Sequence, residues 1–186
     1  MSVLRTLAVA RNSLLVVATV AATGACSSYG PLVEDMDPSA LFQTDSLSYK
    51  LDAGDIGYIG AIGVQFTNRT ADTTYFVNCN GTTGVILQKL VNGEWRDAYS
   101  PARNDCLSPP IAVPPGGTAN LPIPVFSGYP GNNVFPKFSV DEIPGVYRAV
   151  WTAAVTSYHD GRGSFGNPLP LEHRVSNRFA LRLSPR

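Results

Sequence analysis

Apolar residues in this chain recur at every second position, segment after segment, and that spacing restricts the fold more than any other feature. Ile62, Val64 and Phe66 alternate with Gly63, Gln65 and Thr67, the period of a half-buried β-strand. Tyr75, Val77 and Cys79 alternate likewise after a polar turn at Asn68–Asp72. Farther along, Tyr147, Ala149, Trp151, Ala153 and Val155 mark one face of a long strand, with Arg148 and Thr152 on the other. The last stretch sets Val175, Phe179, Leu181 and Leu183 inward and Ser176, Arg178 and Arg182 outward. No stretch keeps a 3.6-residue period with caps, so long helices are not expected. The 15 prolines and 17 glycines concentrate between the strands, notably over 109–117 and 128–136. Short strands separated by Gly/Pro turns predict an all-β sandwich or barrel.

Two segments carry sharper geometry. Asn92-Gly93 separates Val85–Val91 from Glu94–Tyr99, a strong hairpin signal because both turn residues tolerate positive φ. In Leu121-Pro122-Ile123-Pro124-Val125 the prolines alternate, so both missing N–H groups fall on one side of the strand. Such a strand pairs on its other side only, which predicts an edge protected from sheet-to-sheet association.

Asp141-Glu142-Ile143-Pro144-Gly145-Val146-Tyr147 resembles the approach to strand F of immunoglobulin-like domains, where an acidic residue and a small one precede the tyrosine of a tyrosine corner. The resemblance loosely covers residues 44–184 and implies an immunoglobulin-like antiparallel β-sandwich of about seven to nine strands. It also implies that the Tyr147 hydroxyl ties back to upstream backbone. Where that family has a cysteine two residues on, this chain has Ala149, so the usual inter-sheet disulfide is missing. Together with Ser176-Asn177-Arg178-Phe179, Gly145-Val146-Tyr147-Arg148 is also similar to uncharacterised immunoglobulin-like domains of bacterial envelope proteins.

Residues 1–25 differ in character from the rest. Arg5 and Arg11 are the sole charged side chains before Glu34, and a small, apolar run from Ser13 to Ala22 follows. That is a positive n-region and an h-region of signal-peptide length, short of the roughly 20 residues a spanning helix needs. Thr23-Gly24-Ala25-Cys26-Ser27-Ser28 resembles the lipobox of bacterial lipoproteins, with Thr23 in place of the usual Leu. The resemblance implies cleavage before Cys26, lipid (palmitate among the acyl chains) on its thiol, and a membrane anchor facing outside the cytoplasm. Ser27 after the cysteine suits an outer membrane. Ordinary cleavage after Ala25, leaving a free Cys26, is the alternative.

The expected organisation is a signal peptide over 1–25, a tether over 26–43 and one domain over 44–186. Gly30, Pro31, Pro38 and the acidic Glu34, Asp35 and Asp37 mark the expected tether, with docking on the domain expected to begin as early as Leu41 and Phe42. The chain has three cysteines, an odd number for an exported protein. With Cys26 assigned to lipid, Cys79 and Cys106 remain to pair in an oxidising compartment. Closing the loop between them would stabilise the domain by roughly 3–4 kcal/mol; two buried free thiols are the other reading.

Fourteen Lys+Arg balance fourteen Asp+Glu, and removing Arg5 and Arg11 leaves a slight acidic excess. That gives no electrostatic case for nucleic acid. His159 and His173 are the two histidines, read first as loop polarity and only secondarily as a site where loops meet. Ser157, His159 and Asp160 assemble a triad on paper, yet near neighbours on one strand do not converge and no nucleophile elbow surrounds the serine. The glycine-rich run Gly161–Gly166 precedes no helix and so lacks a phosphate cradle. Asp52, Asp55, Asp72 and Asp97 are too scattered for calcium. Trp151 reads as core, and Trp95 as a sheet residue with some prospect of stacking on a ligand. Asn68 and Asn80 match the glycosylation pattern, without expected consequence in a bacterial lipoprotein.

No catalytic residue, metal or cofactor is assigned. The leading expectation is a non-enzymatic binding or structural module at the cell envelope, with an unidentified envelope protein or ligand as partner. Recognition would sit in the loops 99–115, 127–136 or 158–174. A β-sandwich protease inhibitor presenting loop 99–115, or an envelope hydrolase with an unrecognised site, are the alternatives. Mass spectrometry of the N-terminal peptide from the bacterial membrane should find an acylated Cys26 as the first residue; an intact Met1 would contradict the assignment.

Overall fold

Chain bends inside long alternating segments, more than the turns between them, set the architecture. The computed structural model describes residues 39–103, 106, 108–159 and 164–185. Cys26, the expected signal peptide over 1–25 and the expected tether as far as residue 38 of its 26–43 lie outside the described residues, as do Asp160–Gly163 beside and within the glycine-rich run.

The strands are β1 (Phe42–Thr44), β2 (Ser48–Ala53), β3 (Gly57–Ile62), β4 (Val64–Thr67), β5 (Thr74–Phe76) and β6 (Asn78–Cys79). They continue with β7 (Thr82–Thr83), β8 (Val85–Val91), β9 (Glu94–Tyr99), β10 (Ile111–Val113), β11 (Thr118–Asn120) and β12 (Ile123–Gly128). The last are β13 (Gly145–Trp151), β14 (Ala154–Val155), β15 (Tyr158–His159), β16 (Ser164–Phe165) and β17 (Phe179–Leu183). A 3-10 turn, Leu171–His173, precedes β17. Among the described residues no helix is long and apolar enough to cross a membrane.

The protein is an all-β, antiparallel sandwich-like assembly. A seven-stranded sheet of order β12-β3-β2-β17-β13-β8-β9 accompanies two three-stranded sheets, β1-β4-β11 and β10-β5-β14, and two short hairpins. Strands pair antiparallel except β2 with β17, which run parallel from Ser48↔Ala180 to Leu51↔Leu183. There are more strands than the alternation alone suggests, because long segments change sheets midway. The 57–67 segment breaks at Gly63, so that β3 pairs with β12 and β4 with β1 and β11. A Cβ at Gly63 would lie 2.0 Å from an Asp45 carboxylate oxygen, so a larger residue there would force the Asp45 side chain to move. The partner segment bends at the same level: Leu121 N–H donates to Val64 O (2.8 Å) between β11 and β12.

The expected long strand 147–155 is likewise two strands. β13 ends at Trp151, and β14 joins β5 in a different sheet. Thr152 N–H donates to Gly84 O (2.8 Å) at the crossing, and the buried phase moves from Ala153 to Ala154. The expected phase of 75–79 is reversed at its start: Thr74 and Phe76 are buried, while Tyr75 is half-buried beside Tyr158. Phe76 competes with Tyr75 for the core and, being without a polar atom, takes it. Before β17, Ser176 turns inward and Val175 is half-exposed, the opposite of the simple alternation. The Ser176 hydroxyl accepts Ala149 N–H (2.9 Å) and donates to Asn177 O (2.7 Å), so its burial leaves no polar group unmet.

The core is aromatic. Phe42 stacks on Trp151 at 4.1 Å between centroids and meets Phe66 at 4.7 Å and Phe76 at 5.9 Å. Trp151 donates its indole N–H to Thr83 Oγ1 (3.0 Å), satisfying the polar atom of a fully buried ring. Cys79 and Cys106 form a disulfide that ties the buried β6 to the exposed loop after β9.

The two edges of the large sheet are both occupied. β12 is an edge strand, as its prolines predict, and pairs with β3 alone. The Tyr99 hydroxyl, from the opposite edge strand β9, donates to Phe126 O (2.9 Å) and accepts Phe126 N–H (3.0 Å). Ser139 covers β9 in turn, its N–H donating to Ala98 O (2.8 Å) and its hydroxyl to Asp97 O (2.9 Å). The Asn92-Gly93 hairpin forms between β8 and β9 with φ of 53° and 85°.

The Tyr147 hydroxyl donates to Ile143 O (2.6 Å) in a fully buried site. Burial pushes it well above the usual tyrosine range, and burial also raises Tyr49 and Tyr99. With folded-state values above the unfolded one of about 10, these groups contribute stability that is complete below that pH and is lost as the pH rises through the folded values. Urea midpoints should therefore fall on the alkaline side. Tyr147→Phe should cost about 1–3 kcal/mol near neutrality, by stranding the Ile143 carbonyl, and should flatten the alkaline slope. An unaltered slope in the variant would remove Tyr147 from this account.

Candidate functional site

On the outer face of the seven-stranded sheet, alternation places one polar side chain per strand in a row. Arg148 on β13 pairs in register with Gln88 on β8, which pairs with Asp97 on β9. Arg148 Nε donates to Gln88 Oε1 (2.9 Å), and Gln88 Nε2 donates to Asp97 Oδ1 (2.8 Å). Trp95 lies two residues before Asp97, on the same face of β9. The Arg148 guanidinium sits over its ring at 4.4 Å from the centroid, and Arg178 approaches it at 5.7 Å. Arg178 lies just beyond the Tyr147↔Phe179 pair, at the start of β17.

These three side chains floor a groove of about 670 Å³. One wall is Ser39–Leu41, where the described chain begins; the other is 172–178, including Glu172 and His173. The walls are held by buried polar ties. Asn177 accepts Thr44 N–H on Oδ1 (2.7 Å), and its amide donates to Thr44 Oγ1 (2.8 Å) and Arg178 O (2.9 Å). Arg174 donates to Leu169 O (2.6 Å) and Trp151 O (2.8 Å), clamping the segment that carries the 3-10 turn. Arg178 therefore stands exposed on a backbone that Ser176 and Asn177 make rigid.

The electrostatics are unusual for an exposed sheet. Desolvation first, and the neighbouring Arg178 second, hold Arg148 below the usual arginine range. Two guanidinium groups share one indole, and cation–π attraction offsets part of their repulsion. Neither makes an ion pair among the described residues, where Arg96 with Glu94 (3.3 Å) is the pair that forms.

The other expected features fare differently. Trp151 is core, as expected, and Trp95 is half-buried with its ring beside the arginines. The structure does not bring the histidines into a common site: His173 is on the groove wall and His159 on the β15–β16 hairpin. No hydrogen bond joins Ser157 to His159 among the described residues, and Asp160 lies outside them. No three His, Cys, Asp or Glu side chains group as metal ligands among the described residues. Asn68 is fully buried, its amide donating to Asp72 O and Val113 O at 2.8 Å each, so it serves the fold.

Sequence parity alone sends Arg148 and Arg178 outward, but the Trp95–Arg148–Arg178 grouping was not legible, because their strands are far apart in the chain. Asn177 entered only through the Ser176–Phe179 resemblance, which carried no hint of its tie to Thr44. Compared with known proteins, the chain matches no family model, no curated protein and no solved structure.

A positive groove around a half-buried indole should quench selectively. Iodide should quench Trp95 fluorescence more than caesium, while buried Trp151 answers to neither. Replacing Arg148 and Arg178 by Gln should erase most of the difference; equal quenching by both ions in the unaltered protein would contradict the assigned field.

Proposed function

We propose that this chain is a bacterial envelope lipoprotein, anchored through Cys26, whose immunoglobulin-like domain is a non-enzymatic binding module with its ligand site at the Trp95–Arg148–Arg178 groove. One observation carries the assignment: two guanidinium groups, neither ion-paired within the described fold, are held on one aromatic ring in a concave site. Such an arrangement has a cost in isolation and relieves it on binding an anion. Arg and Trp are also the side chains over-represented where binding energy concentrates.

The lipobox-like Thr23–Ser28 supports the anchor, and the Tyr147–Ile143 hydrogen bond supports the immunoglobulin-like reading of the sandwich. The groove's wall at Ser39 follows directly on the tether, which would hold the site near the membrane that the lipid selects. The chemistry on view favours binding over catalysis, since no nucleophile in the groove is paired with a base among the described residues.

Protease inhibition by loop 99–115 is a second reading with one observation in its favour. The Cys79–Cys106 disulfide and the hydrogen bond from Asn78 Nδ2 to Pro109 O (3.0 Å) restrain that loop at two points, which lowers the ordering cost of presenting it to an enzyme.

Crosslinking of the lipidated protein in its own membrane should capture a partner that is lost when Trp95→Ala and Arg178→Gln are combined. Retention of every partner by that variant would count against the groove. Inhibition of a protease panel, abolished by cleavage within the loop, would move the assignment to the second reading.

A further inference from the structure

The groove's chemistry narrows what it can hold. Arg148 spends its Nε on Gln88, and its terminal amino groups have no protein acceptor among the described residues. The Arg178 guanidinium makes no hydrogen bond among the described residues and stands 5.7 Å from the Trp95 ring. Two guanidinium groups therefore line a groove of about 670 Å³. Asn177 and Ser176 are already saturated by the fold, so recognition falls to the arginines, with His173 at the wall.

The rim contains one carboxylate of its own, Glu172. A compact, multiply charged anion would meet repulsion from that side. Singly charged carboxylates spaced along a chain can engage the arginine side and leave the rim clear. Guanidinium and carboxylate are both planar and match each other bidentately. Resting on the reading of the groove as a ligand site, we infer that it takes the carboxylate side chains of an acidic polypeptide, with Arg148 and Arg178 as paired forks.

The occupant is an acidic segment of a separate protein, whose carboxylates complement the two arginines beside Trp95. The chain's own Glu34, Asp35 and Asp37, just before Ser39 in sequence, are the rival occupant that the experiment separates.

Hexaglutamate titrated into the full chain, held in neutral detergent at low salt, separates these possibilities. Saturable binding is expected, read by calorimetry and by Trp95 fluorescence, and weakening as salt rises. Arg148→Gln and Arg178→Gln should each weaken it about tenfold, the loss of roughly one charge-assisted contact. Arg178→Lys, which keeps charge without the fork, should fall between. Thermal unfolding of each variant checks that the fold persists; Arg178 is exposed, so its replacement should leave the midpoint in place. In the full chain bearing Glu34→Gln, Asp35→Asn and Asp37→Asn, equal binding is expected, and tighter binding would overturn the separate partner by making the chain's own acidic segment the occupant. Absence of saturable binding to both chains, indifference to the arginine replacements in folded variants, or displacement of the peptide by inorganic phosphate at equal ionic strength would overturn the carboxylate assignment. If that happens while partner capture in the membrane still depends on Trp95 and Arg178, the groove remains a binding site for a different chemistry. Loss of both results removes the site itself.

Discussion

The stack of Phe42 on Trp151 is the contact on which the rest of the structure depends. Phe42 belongs to β1, the first of the described strands, and Trp151 ends β13, an interior strand of the large sheet. Burying two such rings removes several hundred square ångströms of apolar surface, on the order of several kcal/mol. Phe66 and Phe76 pack edge-on or tilted around the same point, from β4 and β5, so one aromatic cluster fastens three sheets. The N-terminal strand therefore completes the core. β1 is thereby joined through the core to the sheet whose outer face carries the groove.

Closure of the edges is the second constraint. A seven-stranded sheet exposes two rows of backbone groups to passing strands. Here Pro124 removes one donor from β12, Tyr99 takes both backbone groups of Phe126, and Ser139 covers part of β9. Tyr99 also joins one edge strand to the other, curling the sheet around its core. Association through sheet edges is thereby disfavoured, which leaves recognition to side chains on the sheet's outer face and to the loops.

That outer face is where the sheet's stability and the proposed ligand site meet. Arg148, Gln88 and Asp97 form a cross-strand row of hydrogen bonds that serves the sheet. Trp95 and Arg178 extend the row into a groove that the fold does not need. Buried Asn177 links the two uses: it ties Thr44 of the first strand to the backbone of Arg178. Two like charges sharing one ring, with rigid backbone beneath, are an arrangement that a partner's charge would complete.

From the sequence by itself came the all-β class, the Asn92-Gly93 hairpin, the edge position of the proline strand, the pairing of Cys79 with Cys106, the core position of Trp151 and the tie from Tyr147. Each depends on a local cause: a period of two, a residue that permits positive φ, a missing N–H, or a polar atom that must be satisfied where it is buried. Tertiary structure alone decided where the long segments at 57–67 and 147–155 divide, why Phe76 displaced Tyr75, why Ser176 turned inward, and that Trp95, Arg148 and Arg178 meet. Those outcomes depend on which distant strand lies alongside, and alternation reports the face a side chain takes but not its neighbour across the sheet.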